Sequence, residues 1–192
     1  SAEHLAIVQA DSAGPLQEAK LLGEYVDLTG TNPFDAKGLK VWLERCREGQ
    51  MKEFTTGRGL ISYETWTGFD PEESYMVVAD PSQGIEDEQH EHDPGGIVVI
   101  ARRKPRLVAR YNGYLPSYEL GRLARHLCDQ WGHALCVWER NSGYGESFYL
   151  GLGEYGNVYV EHHLDSRGIP LSERIGWTTT ATTRGTIVGA LQ

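Results

Sequence analysis

The sequence predicts an α/β domain with a mixed central sheet and flanking helices, preceded by a helical linker segment. Three observations carry this. Short apolar runs suited to strands recur in the second half of the chain: YMVVAD (75–80), GIVVIA (96–101), RLVARY (106–111) and ALCVWE (134–139). The second and third are separated by a tight turn, RRKPR, whose Pro105 suits a hairpin end. Between RLVARY and ALCVWE lies a stretch of helical period, long enough to cross the sheet and return the chain parallel to an earlier strand.

From the N-terminus, the pair Gly14-Pro15 is the first clear breaker. After it Leu16, Ala19, Leu22 and Val26 fall at helical spacing, until the 30–33 stretch interrupts them. Asp35 is placed to cap a second helix with Leu39, Trp42, Leu43 and Cys46 on its apolar face and Gly49 as its stop. Residues 53–74 are turn-rich with some strand character and read as a connector. The expected division is therefore a linker over 1–74 and a main domain over 75–192.

Within that domain YMVVAD ends in Asp80 and is followed by the turn residues Pro81, Ser82 and Gly84, then an acidic loop. Ser117 is expected to cap a helix carrying Leu120, Leu123, Leu127 and Trp131, stopped by Gly132. ALCVWE ends in Glu139; Asn141, Gly143 and Gly145 mark a turn into a short aromatic helix, and NVYVEH (157–162) is the last expected strand. Continuous apolar runs demand cover on both faces, which makes 75–80 and 134–139 central and adjacent. Asp80 and Glu139 would then meet at one sheet edge, roughly 5 Å apart, one strand spacing. Trp131 and Trp138 read as core.

Composition bounds the function. At 192 residues, with 40% hydrophobic residues and five Trp, the chain can build a full core. No apolar run approaches the roughly 18 residues of a membrane span, and no basic-then-apolar leader opens the chain. Cys46, Cys128 and Cys136 form no C-x-x-C pair and read as reduced thiols of a cytosolic protein. The net charge of −9 runs against a phosphate binder, but its distribution is uneven. Residues 86–93 (EDEQHEHD) hold five acids and no base, and 102–110 (RRKPRLVAR) hold five bases and no acid.

Two carboxylates at neighbouring strand ends repel unless a cation lies between them, and oxygen-only ligands select hard ions such as Mg²⁺ or Mn²⁺. Two such ions support phosphodiester hydrolysis. On spacing alone, an Asp-Pro turn at Asp80 and an exposed strand end at Glu139 are the simpler reading, since acids are common at turns. His90, His92 and Asp93 lie together, as do His162 and His163, so zinc is a rival. However, HEHD sits in an acidic loop and lacks helical H-E-x-x-H spacing; solvated histidines are the simpler reading. Arg102, Arg103, Lys104 and Arg106 project from a hairpin turn as candidate contacts to a DNA backbone beside the carboxylate edge.

Four segments in series resemble a known family. VVADPSQG (77–84) and VWERNSGYG (137–145) resemble the first- and second-carboxylate regions of the nuclease domain of phage DNA-packaging terminase large subunits. IGWTTTATTRGTIVGALQ (175–192) resembles the family's Gly-Trp-x-Thr segment, through Gly176, Trp177 and Thr179, and GEYVDLTGTNPFDAKGL (23–39) resembles the stretch joining the packaging ATPase to the nuclease. The resemblance implies an RNase H-like fold that cuts double-stranded DNA during genome packaging with Mg²⁺ or Mn²⁺, two ions, in the host cytoplasm. It implies Asp80 and Glu139 as catalytic metal ligands and Asp93 as a weaker one, with an ATPase domain, the portal and the terminase small subunit as partners. The family's third acidic ligand lies beyond the helix expected from Thr183, so the site here is expected to lack one. No Gly-x-x-x-x-Gly-Lys-Ser/Thr loop is present. Another RNase H-like nuclease, such as a Holliday-junction resolvase, and a silent docking module of the packaging motor are the alternatives.

Overall fold

The computed structural model describes residues 48–84, 94–141, 143–164 and 167–180. The helices expected between Leu16 and Cys46, the acidic loop with His90, His92 and Asp93, and the helix expected from Thr183 lie outside these residues. The described residues fall within one compact unit, Glu48–Ala181.

A six-stranded sheet organises that unit, in the order β1-β2-β5-β4-β3-β6. The strands are β1 (Gln50–Thr56), β2 (Gly59–Thr65), β3 (Tyr75–Asp80), β4 (Gly95–Ala101), β5 (Arg106–Gly113) and β6 (Leu135–Trp138). β3, β4 and β5 run antiparallel in succession, and helix α1 (Ser117–Gln130) then carries the chain across to β6, parallel to β3. This is the α/β class with a mixed sheet and flanking helices expected from the sequence, and 75–80 and 135–138 are adjacent as expected. The 53–74 stretch supplies the β1–β2 hairpin, whose second strand adds to β5 through Glu64↔Arg110 and Thr65↔Ala109. An Arg110 Nε–Glu64 Oε2 hydrogen bond of 2.7 Å reinforces that seam.

One sheet face carries the core. Val77 and Ala79 on β3, Ile97 and Val99 on β4, and Cys136 and Trp138 on β6 are buried, alternating with half-buried neighbours. Against them pack Leu120, Leu123 and Leu127 of α1, at the helical spacing read from the sequence, and Phe148 of α2 (Tyr144–Leu152), whose ring lies 5.5 Å from that of Trp138. Trp131 and Trp138 are core residues, as expected, and so are the free thiols Cys128 and Cys136. The two helices touch through glycine: a Cβ on Gly121 would run into the Phe148 carbonyl oxygen, and one on Gly151 into that of Tyr118.

Two expectations need correction. Ser117 does not cap α1: Pro116 holds the cap position, without a side-chain bond, and Ser117 is the first helical residue. Its hydroxyl instead donates to the Ser82 carbonyl, at 2.5 Å. NVYVEH, in turn, does not form one strand of the central sheet. Only Val158 pairs there, parallel to Cys136. The chain then leaves as β7 (Val160–Leu164) and returns as β8 (Pro170–Ile175), an antiparallel hairpin of its own. It rejoins the sheet at Trp177, which pairs parallel to Glu139. The position beside β6 is thus filled in two pieces, joined where the Gly176 amide donates to the Tyr159 carbonyl at 2.9 Å.

Candidate functional site

The site follows from register. β3 and β6 are in parallel register as far as Ala79↔Trp138, and the Glu139 amide donates to the Ala79 carbonyl at 3.0 Å. One step further, Asp80 stands beside Glu139. Parallel neighbours in register project from the same face. Since Ala79 and Trp138 point into the helix-covered core, Asp80 and Glu139 both belong to the opposite face. Asp80 is exposed and Glu139 half-buried. Two carboxylates thus meet at one sheet edge, Asp80 beside Gly96 of β4 and Glu139 between β3 and the returning Trp177 segment.

Each carboxylate has a support. Behind Asp80, the Pro81–Gly84 turn is tied to the start of α1 by the Ser117–Ser82 bond, and Gly84, at φ +65°, lies directly against the Leu115–Pro116 backbone. No side chain fits there. Glu139 is flanked by two backbone bonds: Trp177 N–H to the Trp138 carbonyl and Arg140 N–H to the Trp177 carbonyl, both 2.8 Å. The Asn141 side-chain amide donates to Glu139 Oε1 at 2.8 Å and to the Thr179 carbonyl at 2.8 Å. The sequence read Asn141 as a turn marker; as the second residue after Glu139, it returns to the same face. That is the signal by which its contact was legible.

The donor set is oxygen-only, which suits a hard divalent cation. Among the described residues, no three His, Cys, Asp or Glu side chains gather into a group able to hold a metal ion. Asp80 and Glu139 are therefore a two-carboxylate set. The His162 ring lies 3.3 Å from Glu173 Oε1 across the β7–β8 hairpin. Asp93, His90 and His92 lie outside the described residues.

The basic turn does not adjoin this edge. β4 begins opposite Asp80, at Gly96, and runs antiparallel to β3 until Ala101 faces Tyr75. The turn holding Arg102, Arg103 and Lys104 therefore lies at the other end of the sheet. Topology dictates this: a hairpin leaving a strand that starts beside Asp80 must turn at the far end. There Glu73 accepts from the backbone amides of Arg103 at 2.7 Å and Lys104 at 3.4 Å, and pairs with the Arg106 guanidinium at 3.5 Å. Burial pushes the Glu73 carboxyl up, but the Arg103, Ser74 and Lys104 amides and the Arg106 charge outweigh it and hold it below its ordinary value. The side chains of Arg102, Arg103 and Lys104 remain exposed.

No family model matches the chain, and no curated protein does. Among solved structures, the chain is similar to the large terminase nuclease of the thermophilic phage G20c with bound magnesium, at 14% identity and a TM-score of 0.45. That match covers 67% of this chain, which spans 57% of the length of the other. A second structure of the G20c large terminase nuclease gives 16% identity and a TM-score of 0.33, over 59% of this chain and 77% of that one. Among the described residues, no helix is long and apolar enough to cross a membrane.

Proposed function

We propose that this chain is a divalent-metal-dependent DNA endonuclease domain of the terminase large-subunit type, with Asp80 and Glu139 as its metal ligands. One observation carries the reading. Three sequence segments that resemble the family's nuclease motifs, far apart in the chain, converge on one sheet edge. Asp80 lies in the first, Glu139 in the second, and Trp177 of the third pairs with Glu139. Unrelated strand-end acids have no reason to meet in register with a third such segment.

In this reading Asp80 and Glu139 would hold Mg²⁺ or Mn²⁺ through carboxylate oxygens. When bound, a divalent cation supplies water activation and neutralises charge developing on the phosphodiester. The chain's own part is placement. Register sets the two carboxylates side by side, the Ser82–Ser117 tie steadies the turn after Asp80, and Trp177 holds the strand end that carries Glu139. The substrate is double-stranded DNA, bound through its phosphates without base readout. The ATPase, portal and small subunit are its proposed partners, and the host cytoplasm its place of action.

The test is plasmid cleavage in Mn²⁺ by the parent chain, Asp80→Asn and Glu139→Gln. Each substitution is expected to lower the rate at least ~100-fold, as removal of a group acting on transition-state charge does. Cleavage that survives both would sink the assignment. A parent that never cuts would favour the docking module.

A further inference from the structure

We infer that Asn141 is a positioning residue for the metal site: its amide fixes the Glu139 carboxylate and makes that geometry depend on the docked Gly176–Thr180 segment. This rests on the nuclease reading above.

A side-chain amide nitrogen has two hydrogens to donate. Asn141 directs them to two places, Glu139 Oε1 and the Thr179 carbonyl, each at 2.8 Å. The register explains both. Glu139 pairs with Trp177, so two residues on along each piece of chain bring Asn141 beside Thr179. Asn141 also returns to the face from which Glu139 projects. One planar group therefore bridges a candidate ligand and the segment that completes the sheet beside it.

The residue type matters as much as the geometry. Glu139 hangs on a long side chain whose freedom must be lost when it binds a cation. A donor that holds one oxygen in advance reduces that loss and leaves the second oxygen for the ion. Lys or Arg in this place would also hold the carboxylate, but would cancel the negative charge that recruits the metal. An acid would repel Glu139. A neutral amide orients without either effect, and hydrogen-bond partners of metal-ligating carboxylates act in this way.

The experiment uses the full chain and Mn²⁺, with free Mn²⁺ followed by electron paramagnetic resonance alongside plasmid cleavage. Asn141→Leu keeps the approximate shape and removes both donors. Its Mn²⁺ dissociation constant is expected to rise by about 10-fold or more, the usual range for lost partners of metal ligands. Half-maximal cleavage should shift to higher Mn²⁺ in step, with KM for plasmid and the metal-free melting temperature little changed. A merely structural role would lower the melting temperature and the active fraction while leaving the Mn²⁺ dependence in place, and that result overturns the inference. Should Asn141→Leu not fold, Asn141→Ala makes the same comparison without filling the space. If the parent binds no Mn²⁺, or binds it equally with Asp80→Asn and Glu139→Gln, the metal-site reading fails and this inference with it. If parent binding is normal and the Asn141 variants stay within about twofold of it, against the 10-fold or more expected of such a partner, only the inference fails.

Discussion

At the scale of single residues, half-buried His126 sits where its charge is unwelcome. The His126 ring lies 4.9 Å from the Phe54 ring and its Nε2 3.4 Å from the Tyr63 hydroxyl, which itself donates to Gln130 at 2.9 Å. Burial lowers the pKa of His126 below its ordinary 6.5, and the nearby Asp129 carboxylate only partly opposes this. The sign follows directly. In the window between the lowered folded value and 6.5, the unfolded chain takes up a proton that the folded chain resists, so stability rises with pH there. The stabilising share is complete above about pH 6.5 and is lost as the solution is acidified toward the lowered value. Melting temperatures measured from pH 7.5 to pH 5, the range where histidines titrate, should fall for the parent and fall less for His126→Gln. Parallel curves for the two proteins would remove His126 as the cause.

At the scale of elements, the closest packing is between α1 and α2. Glycine costs a helix interior about 1 kcal/mol relative to alanine, yet Gly121 and Gly151 both lie inside helices. The backbone contact explains them: a Cβ on Gly121 would meet the Phe148 carbonyl and come within 2.9 Å of the Leu152 amide nitrogen. Gly121→Ala should therefore destabilise the protein by about 1–3 kcal/mol, the usual cost of overpacking, as read from urea denaturation. A stability equal to the parent's or above it would mean that helix propensity had won. The strands β3, β4, β5 and β6 and both helices were legible in the sequence because each has a wet or irregular boundary and a patterned apolar face. β8 was not. PLSERI carries Glu173 and Arg174, opens with Pro170, and its described side chains are exposed, so burial leaves no pattern to read. Ser117 misled for a different reason: a hydroxyl near a helix start can serve the helix or a neighbouring loop, and only the tertiary position of Ser82 decides. Of the site, Asp80 and Glu139 were legible as strand ends, whereas the contacts to Trp177 and Thr179 depend on where the chain returns after the β7–β8 hairpin.

At the scale of the whole molecule, the distance between acids and bases sets the proposed path of DNA. β3 spans Tyr75–Asp80, so the basic turn lies about 17 Å from the carboxylates at 3.3 Å per residue. Duplex DNA lying along the sheet advances about five base pairs over that length, at 3.4 Å per pair. Arg102, Arg103 and Lys104 would then hold phosphates away from the cut and contribute to binding, with no part in the chemical step. Replacing all three with Gln should raise KM for plasmid, leave kcat near the parent value, and flatten the salt dependence by about 0.9 in log-log slope for each lost contact. An unchanged KM and salt slope would show that the turn touches no DNA.

The position beside β6, filled in two pieces, has a consequence for how the site comes apart. Asp80 belongs to a strand held on both sides by continuous partners, β4 and β6, and amides in such strands exchange with solvent only through the largest openings. Glu139 has β3 on one side, but on the other a short return of chain that follows the β7–β8 excursion and is fastened by the Trp177 bonds. The two acids therefore belong to different opening units. On warming, the Trp177 side is expected to release first, taking the pair out of its geometry while the sheet beneath Asp80 is still closed. For the proposed nuclease, heat inactivation is therefore expected before global unfolding, as cleavage after brief heating compared with a circular-dichroism melt would show.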